Sequence, residues 1–296
     1  MAYTTLSDTD IEHFLSKGYV VVHECFSAEF AQSWIDLAYQ RLGYDPDDAA
    51  TWAEPIIHMP AMNRVVVRDF SPEAWGAICD LLGGEDRIKD PDTYTWGDSF
   101  IVNFKLGADR PWIAPSPDSG GWHKDGDFFF HFLDSPEQGL LLVIIWKDIE
   151  PRGGGTFVSC DSVPVVARFL NEHREGIHPF EGGMSALIHE CTCFEELTGK
   201  VGDVVLLHPY MLHASSQNHS GTPRFMTNPP VTLKEPMNFN RENPADFSPL
   251  ELAVLRGLGV ERLAFEPTAP RREHVPPRIA KQRQMLEEEQ ARLKQS

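Results

Sequence analysis

From residue 65 onward the chain is a series of short apolar runs, rich in β-branched and aromatic residues and separated by Gly and Pro clusters. Runs of this length and composition predict β-strands. The predicted strands cover 65–70, 99–104, 140–146, 155–159, 185–189, 203–207 and 224–233. Only two helices, 72–82 and 163–173, are predicted between them. Strands that do not alternate regularly with helices favour an antiparallel sandwich or barrel over a doubly wound parallel sheet.

The residues before this region predict a helix, a strand and a second helix. Ser7 is placed to cap the first helix, and Gly18 is placed to end it. The β-branched run 19–22 predicts a short strand. The second helix begins after Ser27 and ends at Gly43. We therefore expect a mainly β protein with flanking helices.

The last thirty residues differ in composition from the rest of the chain, being rich in Pro, Arg, Lys, Glu and Gln. We expect one domain over 1–266, followed by a charged tail over 267–296 that is helical from Arg278 onward. A solvated or frayed terminal helix is the first interpretation of this tail. A contact between copies of the chain, giving a homo-oligomer, is the alternative.

Charge and hydropathy exclude several classes of partner. The 296 residues include 26 Lys or Arg and 44 Asp or Glu, which gives a formal net charge of −18. Nucleic acids and anionic membrane surfaces both attract basic faces, so neither is an expected partner. The longest apolar run, 140–146, is far shorter than the roughly 20 residues that span a bilayer. With no signal-peptide pattern at its start, the protein is expected in the cytoplasm.

The five cysteines are odd in number, and none forms a C-x-x-C pair. This pattern predicts reduced thiols and not a disulfide framework. Cys191 and Cys193 are two residues apart, a spacing that suits metal ligands. Ordinary strand residues explain the same spacing, and we prefer that interpretation.

Two stretches of the sequence carry metal-binding chemistry. His123 and Asp125 are two residues apart, so on a strand both face one side while Lys124 faces the other. Much later in the chain, His213 follows a predicted strand, and the loop 216–223 leads on to Arg224. If that loop closes an antiparallel hairpin, His213 lies opposite Arg224.

Two further residues belong to the second stretch. Ser215, two residues after His213, is expected to face the same cavity. His208 is an alternative metal ligand, but its strand parity and its distance from Arg224 fit less well.

Two His and one carboxylate on one face of a metal form the facial triad of non-haem Fe(II) oxygenases. An Arg nearby offers a planar, permanently charged fork that binds a carboxylate in bidentate fashion. In an acidic protein, a buried Arg beside an anionic metal site needs an anionic partner. A dicarboxylate cosubstrate would supply it.

Several motifs together resemble the phytanoyl-CoA dioxygenase family of Fe(II)- and 2-oxoglutarate-dependent oxygenases. They are the opening 6–21, the His and Asp at 123 and 125, the segment 146–150 with the glycines after it, and 202–205 leading to His213. The separation between His213 and Arg224 is also similar to the family's. The resemblance implies a double-stranded β-helix, a jelly-roll barrel flanked by helices.

The resemblance also implies a role for each site residue. His123, Asp125 and His213 correspond to the iron ligands, and Arg224 to the anchor of the distal carboxylate of 2-oxoglutarate. The implied activity is that of a dioxygenase: O2 and 2-oxoglutarate are consumed, succinate and CO2 are released, and a small organic substrate is hydroxylated or otherwise oxidised.

The resemblance assigns two supporting residues as well. Ser215 corresponds to a hydroxyl that assists the arginine. Trp146 corresponds to an aromatic residue that lines the cosubstrate pocket.

Two features bear on substrate and activity. The stretch 159–163 reads Ser-Cys-Asp-Ser-Val where the family has Pro-Gly-Ser-His, which argues against the substrate of the family's namesake. No cluster of Lys and Arg suited to the phosphates of an acyl-CoA occurs outside the tail, so a natural product, an amino acid derivative or a free acid is at least as well supported. A non-catalytic jelly-roll module that binds a metal or ligand is the alternative function.

Overall fold

The computed structural model describes residues 3–294. Its α-helices are α1 (Asp8–Lys17), α2 (Ala28–Leu42), α3 (Val67–Phe70), α4 (Pro72–Leu82), α5 (Ser162–Glu172), α6 (Pro249–Leu258) and α7 (Arg278–Leu293). Its strands are β1 (Tyr19–Val22), β2 (Ile56–His58), β3 (Arg64–Val66), β4 (Thr95–Gly97), β5 (Ile101–Asn103), β6 (Leu140–Ile145), β7 (Thr156–Ser159), β8 (Phe194–Leu197), β9 (Val204–Leu207), β10 (His213–Ser215), β11 (Arg224–Thr227) and β12 (Pro230–Val231).

The opening helix, strand and helix form as their local sequence predicts. The Ser7 side chain accepts a hydrogen bond from the Asp10 backbone N–H, and the Asp10 carboxylate accepts one from the Ser7 backbone N–H. This reciprocal pair satisfies two of the backbone donors that every helix start leaves free. Gly18 ends α1 with φ of 77°, a left-handed conformation that costs glycine little.

The described strands form two main antiparallel sheets, which together make the double-stranded β-helix that the sequence predicted. The larger sheet has the order β1-β9-β6-β11-β5-β2, with β12 also paired to β6. The smaller sheet has the order β10-β7-β8. A separate pair, β3 and β4, lies outside both.

The central strand β6 is buried on both faces, and its alternating side chains separate two cores. Leu142, Ile144 and Trp146 pack in the outer core, which includes residues of α2. Val143 and Ile145 belong to the inner core between the sheets, where β7 also contributes residues. Burying one such aliphatic side chain contributes about 1.5–3 kcal/mol. Alternate residues of a strand therefore face the inner core and the outer core in turn.

Two predicted strands are wrong. Residues 185–189 lie in a 3₁₀ helix, Met184–Glu190, which starts after Gly183 in the left-handed conformation. Predicted strand 65–70 ends at Val66, and the next four residues form α3. Here the Ser71 N–H donates to the Val67 carbonyl and Pro72 starts the following helix, so local hydrogen bonds replace sheet pairing.

A third predicted strand, 224–233, is divided. β11 ends at Thr227 and β12 begins at Pro230, because Pro229 has no backbone N–H with which to continue a ladder.

The C-terminal tail is helical from Arg278, as predicted, but it is not a free or frayed helix. α7 packs against α2, and Met285 contacts the outer core. Arg41 of α2 lies 2.7 Å from the Glu289 carboxylate and 2.9 Å from that of Asp98, and the three side chains are at most 2% exposed. This buried ionic cluster attaches the helix to its own chain. A contact with a second copy, and a domain boundary at 266, stay predictions.

Candidate metal centre

Two short backbone segments bring the predicted metal ligands together. The N–H groups of His123 and His213 each donate to the other residue's carbonyl at 3.0 Å, so the two residues form an antiparallel bridge. Residues opposed in this way place their side chains on the same face. His213 is held from its other side by β7, where it pairs with Val158 of the inner core. The bridge therefore places both imidazoles on one face, with the His213 side chain buried and the His123 side chain 46% exposed at the mouth of the barrel.

Asp125 completes a three-residue cluster. Its Oδ1 lies 3.4 Å from Nε2 of His123 and 3.6 Å from Nε2 of His213. One ligand atom from each residue lies within 4.8 Å of the other two. A metal ion with ligand bonds of roughly 2.0–2.2 Å fits between donors at this spacing. The structure thus brings together the three side chains that the sequence predicted as a facial triad.

Backbone carbonyls hold both imidazoles in the orientation that a metal needs. Nδ1 of His123 lies 2.8 Å from the Gly121 carbonyl, and Nδ1 of His213 lies 3.1 Å from the Met211 carbonyl. A carbonyl only accepts, so each Nδ1 carries the proton and donates it. Each Nε2 therefore faces Asp125 and is the ring nitrogen available to bind a metal.

The charge state of Asp125 suits the same role. Burial alone would raise the pKa of its carboxyl, but His213 and His123 outweigh that effect and hold the pKa well below its usual range. The carboxylate is therefore ionised at neutral pH. Asn228 donates from Nδ2 to its Oδ2 at 2.9 Å, which leaves Oδ1 turned toward the imidazoles. The sequence analysis did not identify Asn228. It directly follows β11 and is four residues after Arg224, so strand alternation places both side chains on one face.

Arg224 lies on the interior face of the large sheet. It shares a face of β11 with Met226, which belongs to the inner core, and that face continues to Asn228 beside Asp125. Its side chain is 2% exposed, yet Nε and one terminal nitrogen, Nη2, have no hydrogen-bond partner. Burial lowers the pKa of Arg224 to about 9. A buried guanidinium with free donors is a site for an anion.

The predicted hairpin between His213 and Arg224 is wrong. β10 pairs with β7 in the smaller sheet, whereas β11 pairs with β5 and β6 in the larger one. The loop between them crosses from one sheet to the other. Asn218 fixes that loop by donating to the carbonyls of Asn103 and Thr222 at 2.9 and 2.8 Å. His213 and Arg224 therefore approach the interior from different sheets.

The two supporting residues have different surroundings. Ser215 lies on β10, opposite Thr156, and its side chain is exposed. Trp146 is not placed to line the cosubstrate pocket. It is fully buried in the outer core, stacked on Trp34 with ring centroids 4.9 Å apart, on the face of the sheet away from Arg224. The parity of β6 accounts for this position, because Ile145 takes the interior face.

The alternative ligand His208 lies outside the cluster. Its ring is fully buried, Nδ1 accepts from the Tyr210 N–H at 3.1 Å, and Nε2 lies 3.4 Å from the Leu250 carbonyl. Burial lowers the pKa of His208 to about 3, so the ring is neutral and serves the packing between the barrel and α6.

Part of the tail reaches the edge of the metal centre. Phe130 donates from its backbone N–H to the Arg272 carbonyl at 3.0 Å, and His274 donates to the Phe128 carbonyl at 2.8 Å. At the start of α7, Arg278 binds the Asp127 carboxylate with two nitrogens, at 2.5 and 2.7 Å. The residues that follow Asp125 are thus tied to the C-terminal segment.

A model of the phytanoyl-CoA dioxygenase family matches residues 14–226. The chain belongs to the phytanoyl-CoA dioxygenase family. Iron(II) and 2-oxoglutarate are accordingly its metal and cosubstrate, and it is an enzyme of the oxygenase type. The matched segment contains the whole His123, Asp125 and His213 cluster and Arg224, whereas α6, α7 and the tail lie beyond it. No curated protein matches the chain.

Solved structures resemble the chain only distantly. The carbocyclase SnoK from nogalamycin biosynthesis is 15% identical, with 79% of this chain and 87% of that chain covered and a TM-score of 0.43. HygX from Streptomyces hygroscopicus, with nickel and 2-oxoglutarate bound, is 12% identical over 75% and 85%, with a TM-score of 0.43. EctD from S. alaskensis, with 2-oxoglutarate and 5-hydroxyectoine, is 21% identical over 79% and 77%, with a TM-score of 0.39. The family assignment rests on the sequence match alone.

No helix within residues 3–294 combines the length and the apolar character that crossing a membrane requires. Cytoplasmic location stays a prediction.

Proposed function

We propose that the protein is a dioxygenase that uses iron(II), O2 and 2-oxoglutarate to hydroxylate a small organic substrate, with release of succinate and CO2. The observation that carries the proposal is the pairing of two features in one barrel interior. One is the His123, Asp125 and His213 cluster, and the other is the buried Arg224 guanidinium with two unpartnered nitrogens.

In this proposal the chain's own residues do three things. His123, Asp125 and His213 hold the iron from one side, which leaves the opposite side open for ligands. Arg224 binds the distal carboxylate of 2-oxoglutarate and fixes its orientation. The inner core packs behind His213, whose side chain is 8% exposed, while the His123 side chain is 46% exposed and leaves an open side through which a substrate can approach. When bound, the iron supplies the reduction of O2 that drives oxidation of a C–H bond.

The carboxylate at position 125 favours hydroxylation over halogenation. Halogenating relatives have a small residue at this position, and that space admits a halide ion. Here a carboxylate fills the position and is held by Asn228 at 2.9 Å. Hydroxylation is therefore the activity that the ligand set supports best.

The substrate is proposed to be small, with a polar or anionic group. Desolvation, together with Arg224, Arg278 and Lys281, lowers the pKa of His58 on β2, while Asp125 opposes them. Arg278 is already paired with Asp127, so Arg224 and Lys281 are the basic groups on this side that have no such partner among the described residues. A carboxylate is attracted to such a region. Arg68, by contrast, is paired with Asp92 at 2.7 Å and contributes nothing there.

Substrate-independent conversion of 2-oxoglutarate to succinate by the Fe(II)-loaded protein tests the proposal. We expect turnover in the native protein and none in His213→Ala, whose iron affinity should also fall. His219→Ala is the matched control, because His219 is an exposed histidine six residues further along. Absence of turnover in native protein that binds iron normally would instead support a non-catalytic jelly-roll module.

A further inference from the structure

A second group of potential metal ligands lies where β7 ends and β8 begins. Cys160 directly follows β7, Cys193 directly precedes β8, and the Cys160 N–H donates to the Cys193 carbonyl at 2.8 Å. The two cysteines are therefore direct neighbours across the strands. Glu195, two residues after Cys193, shares its face of the strand. One ligand atom from each of the three lies within 4.8 Å of the others.

Residues from α1 and β1 complete the surroundings of this group. The Lys17 ammonium lies 3.1 Å from Oε1 of Glu195 and 3.4 Å from the Cys193 sulfur. The Tyr19 hydroxyl donates to Oε2 of Glu195 at 2.7 Å. Hydrogen bonds of this kind orient a carboxylate so that its other lone pairs face a metal. The group thus has three ligands and two outer partners.

We propose that Cys160, Cys193 and Glu195 form a second metal site, which takes a zinc-like divalent cation with two sulfur ligands and one oxygen ligand. Thiolates select soft metals, and an S2O set leaves a fourth tetrahedral position for water. The charges balance: two thiolates and one carboxylate carry −3, a divalent ion carries +2, and the Lys17 ammonium carries +1. Each thiol gives up its proton when the metal binds.

This site is separate from the iron site, because the two share no ligand. They are nevertheless linked through one strand. Val158 of β7 pairs with His213, and Cys160 is two residues further along the same face. The metal would link the end of β7 to the start of β8, and the Tyr19 hydroxyl of β1, an edge strand of the larger sheet, contacts the same group through Glu195. The metal would therefore stabilise the wall that carries His213.

The sequence suggested metal ligands only at a different pair, Cys191 and Cys193, for which ordinary strand residues were the preferred interpretation. These two are two residues apart, but the Cys191 sulfur donates to the Leu187 carbonyl at 3.6 Å and packs in the outer core. Cys193 contacts the inner core instead. The partner of Cys193 is Cys160, thirty-three positions earlier, and only the pairing of β7 with β8 brings them together.

Cobalt(II) titration of the reduced full-length protein, without oxygen, tests the proposal. Thiolate ligation gives a sulfur-to-cobalt charge-transfer absorption that the two His and one Asp of the iron site cannot give. We expect two equivalents of cobalt and this absorption in native protein and Cys79→Ser, whose missing thiol lies on α4. In Cys193→Ser we expect one equivalent and no such absorption, and in His213→Ala the absorption should persist.

A second measurement needs no variant. Zinc should slow the alkylation of Cys193 in the native protein, measured by mass spectrometry of its peptide, and leave the alkylation of Cys79 unchanged. The proposal is overturned if saturating cobalt gives no sulfur absorption in native protein, if that absorption persists in a folded Cys193→Ser protein, or if zinc does not protect Cys193.

Discussion

Replacing Arg224 by Met should make the metal-free protein more stable and the cosubstrate bind more weakly. The guanidinium is 2% exposed, and two of its nitrogens have no partner until an anion arrives. Met has a similar unbranched shape, so it fills much of the same space without a charge. The two effects have opposite signs, and a residue that served only the fold would not produce that combination.

The structure sets the size of both effects. Burial lowers the pKa of Arg224 from its ordinary value to about 9, and at about 1.4 kcal/mol per pKa unit this is a cost of roughly 5 kcal/mol. Below pH 9 the group is charged in both folded and unfolded chains, so the cost is present in full at pH 7. Apolar replacements of buried ions are neutral or stabilising by about 1–4 kcal/mol, so we expect about 2 kcal/mol here.

For binding, truncating one partner of a buried charge pair costs about 2–5 kcal/mol. A loss of about 3 kcal/mol corresponds to roughly 100-fold weaker 2-oxoglutarate binding. Urea unfolding in a chelator measures the first effect. Anaerobic titration of the Fe(II) protein with 2-oxoglutarate, followed by the charge-transfer absorption of the complex, measures the second.

Arg224→Lys is the matched control, since it keeps the charge and loses the planar fork; its cosubstrate affinity should lie between those of the other two proteins. The reasoning fails if Arg224→Met is less stable than the native protein in the chelator. It also fails if the Met variant binds 2-oxoglutarate with unchanged affinity.

Three further changes test other parts of the structure. Asn228→Ala should weaken iron binding about 10- to 100-fold, as loss of an outer-shell partner does, measured by competition with a chelator. The pKa of His208 is lowered to about 3, so its contribution is complete above pH 6.5 and lost as pH falls; by pH 4.5 native protein should lose roughly 3 kcal/mol of unfolding free energy that His208→Asn does not lose. Glu289→Ala should cost about 3 kcal/mol in urea unfolding, because Arg41 loses one of its two buried partners, whereas exposed Glu288→Ala should change stability by less than about 0.5 kcal/mol.

The sequence predicts most of the metal centre because its chemistry is local. His123 and Asp125 are two residues apart, and strand alternation alone places them on one face. The same rule predicts the interior position of Arg224 once β11 is recognised. It places Trp146 correctly as well, on the exterior, if it is applied to β6 with Ile145 facing inward. The error there came from the family resemblance and not from the residues.

The long-range arrangement was harder to predict because different pairings satisfy the same local pattern. A loop of eight residues between His213 and Arg224 suits a hairpin, and nothing local indicates that it joins two sheets. The 3₁₀ helix at Met184–Glu190 has the composition of a strand, but it lacks a partner among the described strands. The apolar composition of a segment indicates that it is buried, whereas its pairing as a strand depends on residues far away in the chain.

The tail shows how a segment outside the matched region becomes part of the site. Arg278 binds Asp127, two residues beyond a metal ligand, and eleven residues later Glu289 is buried against Arg41. Both attachments belong to the one continuous helix α7, Arg278–Leu293, so the buried pair at Glu289 and the surface pair at Arg278 lie on the same element. Because the family match, which contains the triad, ends at residue 226, we expect a change in the tail sequence to alter the surroundings of Asp127 and to leave His123, Asp125 and His213 in place.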